Sequence, residues 1–99
     1  MTYTKSDPDG IVLDLENDWA ASTDCLRAVK RGSLVFLVGS VDGENQTDDL
    51  IATLPDGYCP TEYVYSVNGD AVIDVDGTIT CSADTVIHLG GTVFWVGSK

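Results

Sequence analysis

Short apolar stretches of four to seven residues, bounded by Gly, Asp or Asn, recur along this 99-residue chain. Their period is two rather than 3.6, the spacing of strands whose side chains alternate between core and solvent. Ile11, Leu13 and Leu15 alternate with Val12, Asp14 and Glu16, which predicts a half-buried strand after the turn at Asp7-Pro8-Asp9-Gly10. Between Thr23 and Gly32 the local rules conflict. Thr23 as N-cap, Asp24 in a first turn, Lys30 and Arg31 in a last turn and Gly32 as terminator suit a helix. Lys30-Arg31-Gly32-Ser33 also suits a hairpin loop, and the strand is preferred over the helix for 24–31. Leu34 to Val41 is apolar on both faces, with Leu34, Phe36 and Val38 on one and Val35, Leu37 and Val41 on the other. In a single sandwich the facing sheet covers only one of these, so the second face calls for another cover, most simply a neighbouring subunit.

The rest of the chain continues the pattern. Asp42 to Asp49 reads as an acidic loop, and Ile51 to Leu54 as a short strand stopped by Pro55-Asp56-Gly57. A crossing stiffened by Pro55 and Pro60 leads to a hairpin around Asn68-Gly69, a pair that favours a type I′ turn. At Asp76-Gly77 a bulged glycine sets Val75 against Ile79 and Ile73 against Cys81, keeping the apolar residues on one face. A last hairpin at Gly90-Gly91 pairs Leu89 with Thr92 and Ile87 with Phe94. It turns Ile87, Leu89, Phe94 and Val96 inward and leaves Val86, His88, Val93 and Trp95 outward. Eight or nine short strands with turns every 8–12 residues predict an all-β fold, an antiparallel sandwich or jelly-roll-like barrel. Length permits one such domain over residues 11–99, preceded by a flexible segment, 1–10.

Composition narrows the function. Sixteen acids, thirteen of them Asp, oppose five Lys and Arg, for a net charge of −11. Asp is a turn former depleted from strands, so the charge is mainly a solvated rim, and it argues against nucleic acid as a partner. No run reaches the ~18 apolar residues of a membrane helix, and the first ten residues lack the basic and apolar pattern of a secretory signal. Cys25, Cys59 and Cys81 are odd in number and far apart, and read as small apolar fillers rather than a disulfide framework or zinc site.

Catalytic signatures are weak. A single histidine is too few for a typical metal cluster, Gly39 to Gly43 lacks G-x-S-x-G spacing, and Asp70, Asp74 and Asp76 miss the EF-hand pattern. The expectation is a non-enzyme with no catalytic residues, metal or cofactor. Trp95 and His88 pack in a subunit interface, form a sugar platform with the indole against a pyranose face and the imidazole toward hydroxyls, or stand as a lone exposed pair. Asp84 is the nearest acid, at the base of the hairpin, and Tyr63 is the alternative ligand residue. Trp19 reads as a lid on the core. Tyr58, Tyr63 and Tyr65 read as rings turned inward with hydroxyls at the surface.

The order LDLENDW, RAVKRGSLVFLVGSV, IATLPDGYCPTEYVYSV, AVIDVDGTITC and TVIHLGGTVFWV, from about Ile11 to Val96, resembles the small C-terminal domains of tailed-phage and prophage fibre, baseplate and receptor-binding proteins. The most specific element is the L-P-x-G-Y-x-P segment, Leu54 to Pro60, followed by a strand and the hairpin at Asp76 to Thr78. Cys59 stands where the family commonly carries Arg. The resemblance implies a homotrimeric head at a tail or fibre tip, made in the bacterial cytoplasm, carried on the virion among other tail proteins and binding saccharide on the host surface. The alternative is a purely structural trimerisation or capping domain. The resemblance transfers no site residues.

Overall fold

The computed structural model describes residues 10–22, 25–67, 69, 71–82 and 85–96. Among them are eleven short strands and no helix: β1 (Ile11–Val12), β2 (Ala20–Ala21), β3 (Arg27–Arg31), β4 (Leu34–Val38), β5 (Ser40–Asp42), β6 (Leu50–Thr53), β7 (Val64–Tyr65), β8 (Val72–Ile73), β9 (Thr78–Thr80), β10 (Val86–His88) and β11 (Val93–Trp95). All pairings are antiparallel, in three sheets of order β1-β3-β4-β11, β10-β5-β2 and β6-β9-β8-β7. The count exceeds the expected eight or nine because the long apolar strand is broken into β4 and β5 and because Ala20–Ala21 forms a short strand that the pattern did not predict. Gly39, at φ 111°, separates β4 from β5 and bends the backbone against the Cys25 carbonyl, where any Cβ would collide.

The first two sheets form one bent layer. Residues 86–95 run antiparallel beside 34–42 along their whole length, and the ladder crosses the bend through Leu89 and Gly90 N–H to the Gly39 carbonyl, Gly91 N–H to the Leu37 carbonyl and Leu37 N–H to the Thr92 carbonyl. The expected hairpin at Gly90-Gly91 is therefore a local turn within one strand path. β10 pairs with β5 and β11 with β4, not with each other. The register changes from a pair sum of 128 (Ile87 with Val41) to 129 (Phe94 with Val35), so one extra residue is bulged at the glycines. A bulge inverts the alternation just as a two-residue hairpin does. The expected faces hold for that reason: Ile87, Leu89, Phe94 and Val96 are buried, and Val86, His88, Val93 and Trp95 are exposed.

The third sheet is the opposing layer. Its inner residues, Ala52, Ile73 and Ile79, pack in one core with Ala28, Val35, Leu37 and Phe94 of the first sheet and Val41 and Ile87 of the second. The β8–β9 hairpin does carry its bulge at Gly77, but Val75-Asp76-Gly77 forms a three-residue loop, and Ile73 pairs with Ile79. That register differs by two residues from the expected one, so Ile73, Ile79 and Cys81 stay inside while Val75 is left exposed at the tip. A Cβ on Gly77, whose φ is 92°, would stand 2.8 Å from the Leu54 carbonyl oxygen and 2.9 Å from Cys59 Sγ, so the backbone at Gly77 lies close against Leu54 and Cys59. The β7–β8 hairpin forms as expected around Gly69. Asn68, on which the type I′ reading rests, lies outside the described residues.

β3 is a strand joined to β4 by a Gly32-Ser33 loop, with Arg31 opposite Leu34. The helix signals at 23–32 yield because Leu26 and Ala28 are buried at alternate positions, a placement only a strand allows here. Trp19 is the expected lid: it is buried, and its indole N–H donates to the Asp48 carbonyl at 2.9 Å. The cysteines differ from expectation at one position. Cys81 is buried and Cys59 half-buried, but Cys25 is exposed and fills nothing.

Candidate functional site

Two outward sheet faces and one groove carry the chemistry of the described surface. The outer face of the first sheet has three cross-strand rows: Val12, Arg27 and Val38; Val29, Phe36 and Val93; and Arg31, Leu34 and Trp95. Seven of these nine side chains are apolar and none is a carboxylate. Trp95 is 63% exposed and Val12 61%. Arg27 and Arg31, with Lys30, are the cations of the described residues, so all the described positive charge lies on β3 in a chain of net charge −11. Lys30 lies on the other face, its ammonium 5.5 Å from the Tyr58 ring.

The outer face of the third sheet has a different composition. Tyr65, Val72, Thr80 and Leu50 form one row, and Thr78 and Thr53 pair in the next, beside Asp74 and Tyr63. Tyr63, just before β7, and Tyr65, on it, stand two apart with Val64 between them packed against the core, so both rings turn outward. They meet edge to face, centroids 5.7 Å apart and planes at 79°. The expectation that these two rings point inward is corrected: they are 55% and 63% exposed, while Tyr58 alone packs against the core.

At the end of this sheet lies an open groove of about 830 Å³, between the Pro55–Tyr58 turn and the Val75–Gly77 tip, with Pro60, Thr61 and Val96 along it. The two-proline crossing builds it. From the third sheet the chain reaches the edge of β11, where Pro60 bridges Val96 and Thr61 N–H donates to the Trp95 carbonyl, and then returns to β7. Asp76 sits on the rim. Its carboxylate accepts from the Thr78 hydroxyl at 2.7 Å and the Thr78 N–H at 3.1 Å, bonds that hold its pKa below the ordinary value of 3.8.

Among the sequence candidates, Trp95 and His88 are exposed but lie in different sheets, seven residues apart on the strand path, on the order of 20 Å when extended. The structure does not join them in one platform through a shared hairpin. Asp84 lies outside the described residues. Tyr63 is exposed, and its partner Tyr65, which sequence reasoning treated only as a half-inward ring, was signalled by the i, i+2 spacing about Val64. Among the described residues no group of three or more His, Cys, Asp or Glu could hold a metal ion, and no helix is long and apolar enough to cross a membrane.

No protein-family model matches the chain, and no curated relative does. A solved structure does: the crystal structure of the receptor binding protein (gp15) of Listeria phage PSA superposes with a TM-score of 0.65 at 21% sequence identity, covering 89% of this chain and 64% of that one. The chain thus spans somewhat under two thirds of that protein and shares its fold over nearly all of its own length.

Proposed function

We propose that this chain is a non-enzymatic tip domain of a phage tail or fibre that binds saccharide on the bacterial surface as a homotrimer, and that it acts on the virion after synthesis in the bacterial cytoplasm. The observation that carries the proposal is the correspondence of fold, over 89% of the chain, with a phage receptor binding protein. The surface is compatible with it: aromatic rings beside hydroxyls and carboxylates suit a sugar, which has both an apolar ring face and directional hydroxyls. The test is binding of the labelled chain to a panel of bacterial strains before and after periodate oxidation of their surface glycans. Saturable binding to some strains that periodate abolishes is the expected result. Binding that survives periodate but is lost on protease treatment of the cells would point to a protein receptor instead.

The second reading, a structural trimerisation or capping domain, is favoured by the outer face of the first sheet. That face exposes Val12, Val93 and Trp95 and half-exposes Val29, Leu34, Phe36 and Val38, an apolar surface suited to a protein partner. Its two arginines also suit contact with the acidic surface of another copy, which a cyclic trimer would supply by a head-to-tail interface. On this reading Trp95 is an interface anchor, and the chain assembles without binding cells.

A further inference from the structure

We propose that the two outward faces divide the work, and that the saccharide lies on the outer face of the third sheet, on the corner formed by Tyr63 and Tyr65. This rests on the receptor reading above and names its site and ligand class. The side-chain chemistry of the faces decides between them. On the first sheet the rows hold seven apolar side chains with Arg27 and Arg31, and so offer N–H donors but no side-chain hydroxyl or carboxylate acceptor. A ligand covered in hydroxyls would find no side-chain acceptor for its O–H groups there, a cost that apolar protein side chains packing on the same face would not incur. On the third sheet each aromatic ring has oxygen acceptors within a strand or two: Thr80 in the row of Tyr65, and Asp74 and Thr78 beside Tyr63.

The geometry of the corner suits a ring ligand. Planes at 79° let a pyranose stack on one tyrosine while its edge abuts the other, and the exposure of both rings leaves these surfaces open. Asp74 is held beside the rings: one carboxylate oxygen accepts from the Val75 N–H at 2.7 Å, which leaves the other oxygen for a sugar hydroxyl. The groove of about 830 Å³ begins at this same end of the sheet, with Thr61 two residues before Tyr63 and Asp76 two residues after Asp74. A chain of several sugar units can therefore continue from the tyrosines into it. Asp74 and Asp76 also set the ligand's charge. Carboxylates accept hydrogen bonds from neutral hydroxyls and attract amino groups, whereas they repel phosphate and uronate. The ligand class is a neutral or amino-bearing glycan.

The experiment uses the full chain on an array of bacterial cell-wall saccharides, neutral and anionic, followed by solution titration of the best-bound oligosaccharide. Neutral or amino sugars should be retained, and Tyr63→Ala and Tyr65→Ala should each weaken binding about tenfold, the scale of one lost stacking surface. Trp95→Ala should leave the affinity per chain unchanged. Both tyrosines are exposed, so the variants keep the wild-type melting temperature, and a variant that does not is replaced by Asp74→Ala. Binding that survives both tyrosine changes overturns the platform while the receptor reading stands. Selective retention of phosphate- or uronate-bearing glycans overturns the ligand class. Absence of any glycan binding by the wild-type chain overturns both the receptor reading and this inference.

Discussion

At the tip of the β8–β9 hairpin the Asp76 carboxylate accepts from both the hydroxyl and the N–H of Thr78. These bonds favour the charged form, so the folded-state pKa lies below the ordinary value of 3.8. The linked stability is fully present above that value and is lost as pH falls through the lowered one. Asp76→Ala should therefore lower the urea midpoint by a constant amount above pH 3.8, and by progressively less in more acid solution. A difference that stays constant into the acid range would assign the loss to turn propensity instead. Other single residues were legible to different degrees. Trp19 as a lid follows from its size and its place after the polar Glu16-Asn17-Asp18. The turn that these residues make is not legible: Asn17 and Asp18 take φ of 54° and 64°, and the Asn17 amide donates to the Leu50 carbonyl at 2.9 Å. Asn and Asp tolerate the left-handed region better than other side chains, but the sequence does not say which pair adopts it.

Among the elements, the bend between β4 and β5 matters most, because one layer of the sandwich is made from two sheets only through it. Gly39 at φ 111° has no room for a Cβ beside the Cys25 carbonyl, whereas a Cβ on Gly32 meets nothing within 4 Å. Gly39→Ala is expected to cost at least about 2 kcal/mol, from backbone strain plus the collision. Gly32→Ala should cost about 1 kcal/mol, from the left-handed conformation alone. Thermal or chemical unfolding of the two variants side by side checks the order. Equal losses would mean that the bend relaxes without cost. The alternation within each element was readable because it is local: Val35 and Leu37 face the core as their spacing predicts. The break at Gly39 was not, since a glycine inside an apolar run is compatible with an unbroken strand.

For the whole molecule, the apolar outer face of the first sheet motivates the assembly. Three chains of −11 carry 3 × −11 = −33, so a trimer must hold its acids apart. Their concentration in loops, together with the carboxylate-free face that bears Arg27 and Arg31, makes this feasible. Light scattering in moderate salt, where the Debye length is about 8–10 Å, should give about three times the 10.5 kDa monomer mass. Trp95→Ala should shift the mass toward one chain, because it removes the largest side chain on that face. A monomeric wild-type chain at high concentration would rule the assembly out.

The sequence by itself determined the all-β class and the inward and outward sets of β4, β10 and β11, because a strand's side-chain period depends only on its own backbone. It determined these even though the pairing differs from the expected one, but it did not place Tyr63, Tyr65 or Val75 outward. A hairpin at Gly90-Gly91 and a bulge at the same place invert the alternation alike, and a two-residue slip at the Asp76-Gly77 tip inverts nothing. Tertiary structure alone decided which strands pair. Two glycines permit either a reversal or a bulge, and the choice fell to residues 34–42, remote in sequence, whose backbone groups needed a partner along their full length. The same long-range pairing put Trp95 and His88 in different sheets, whereas the consecutive β7–β8 and β8–β9 hairpins set Tyr63 and Tyr65 beside Asp74 and the threonines of β9. Residues that share the outer face of the first sheet come from β1, β3, β4 and β11, and those of β11 gain their neighbours only once that strand joins β4, remote in sequence.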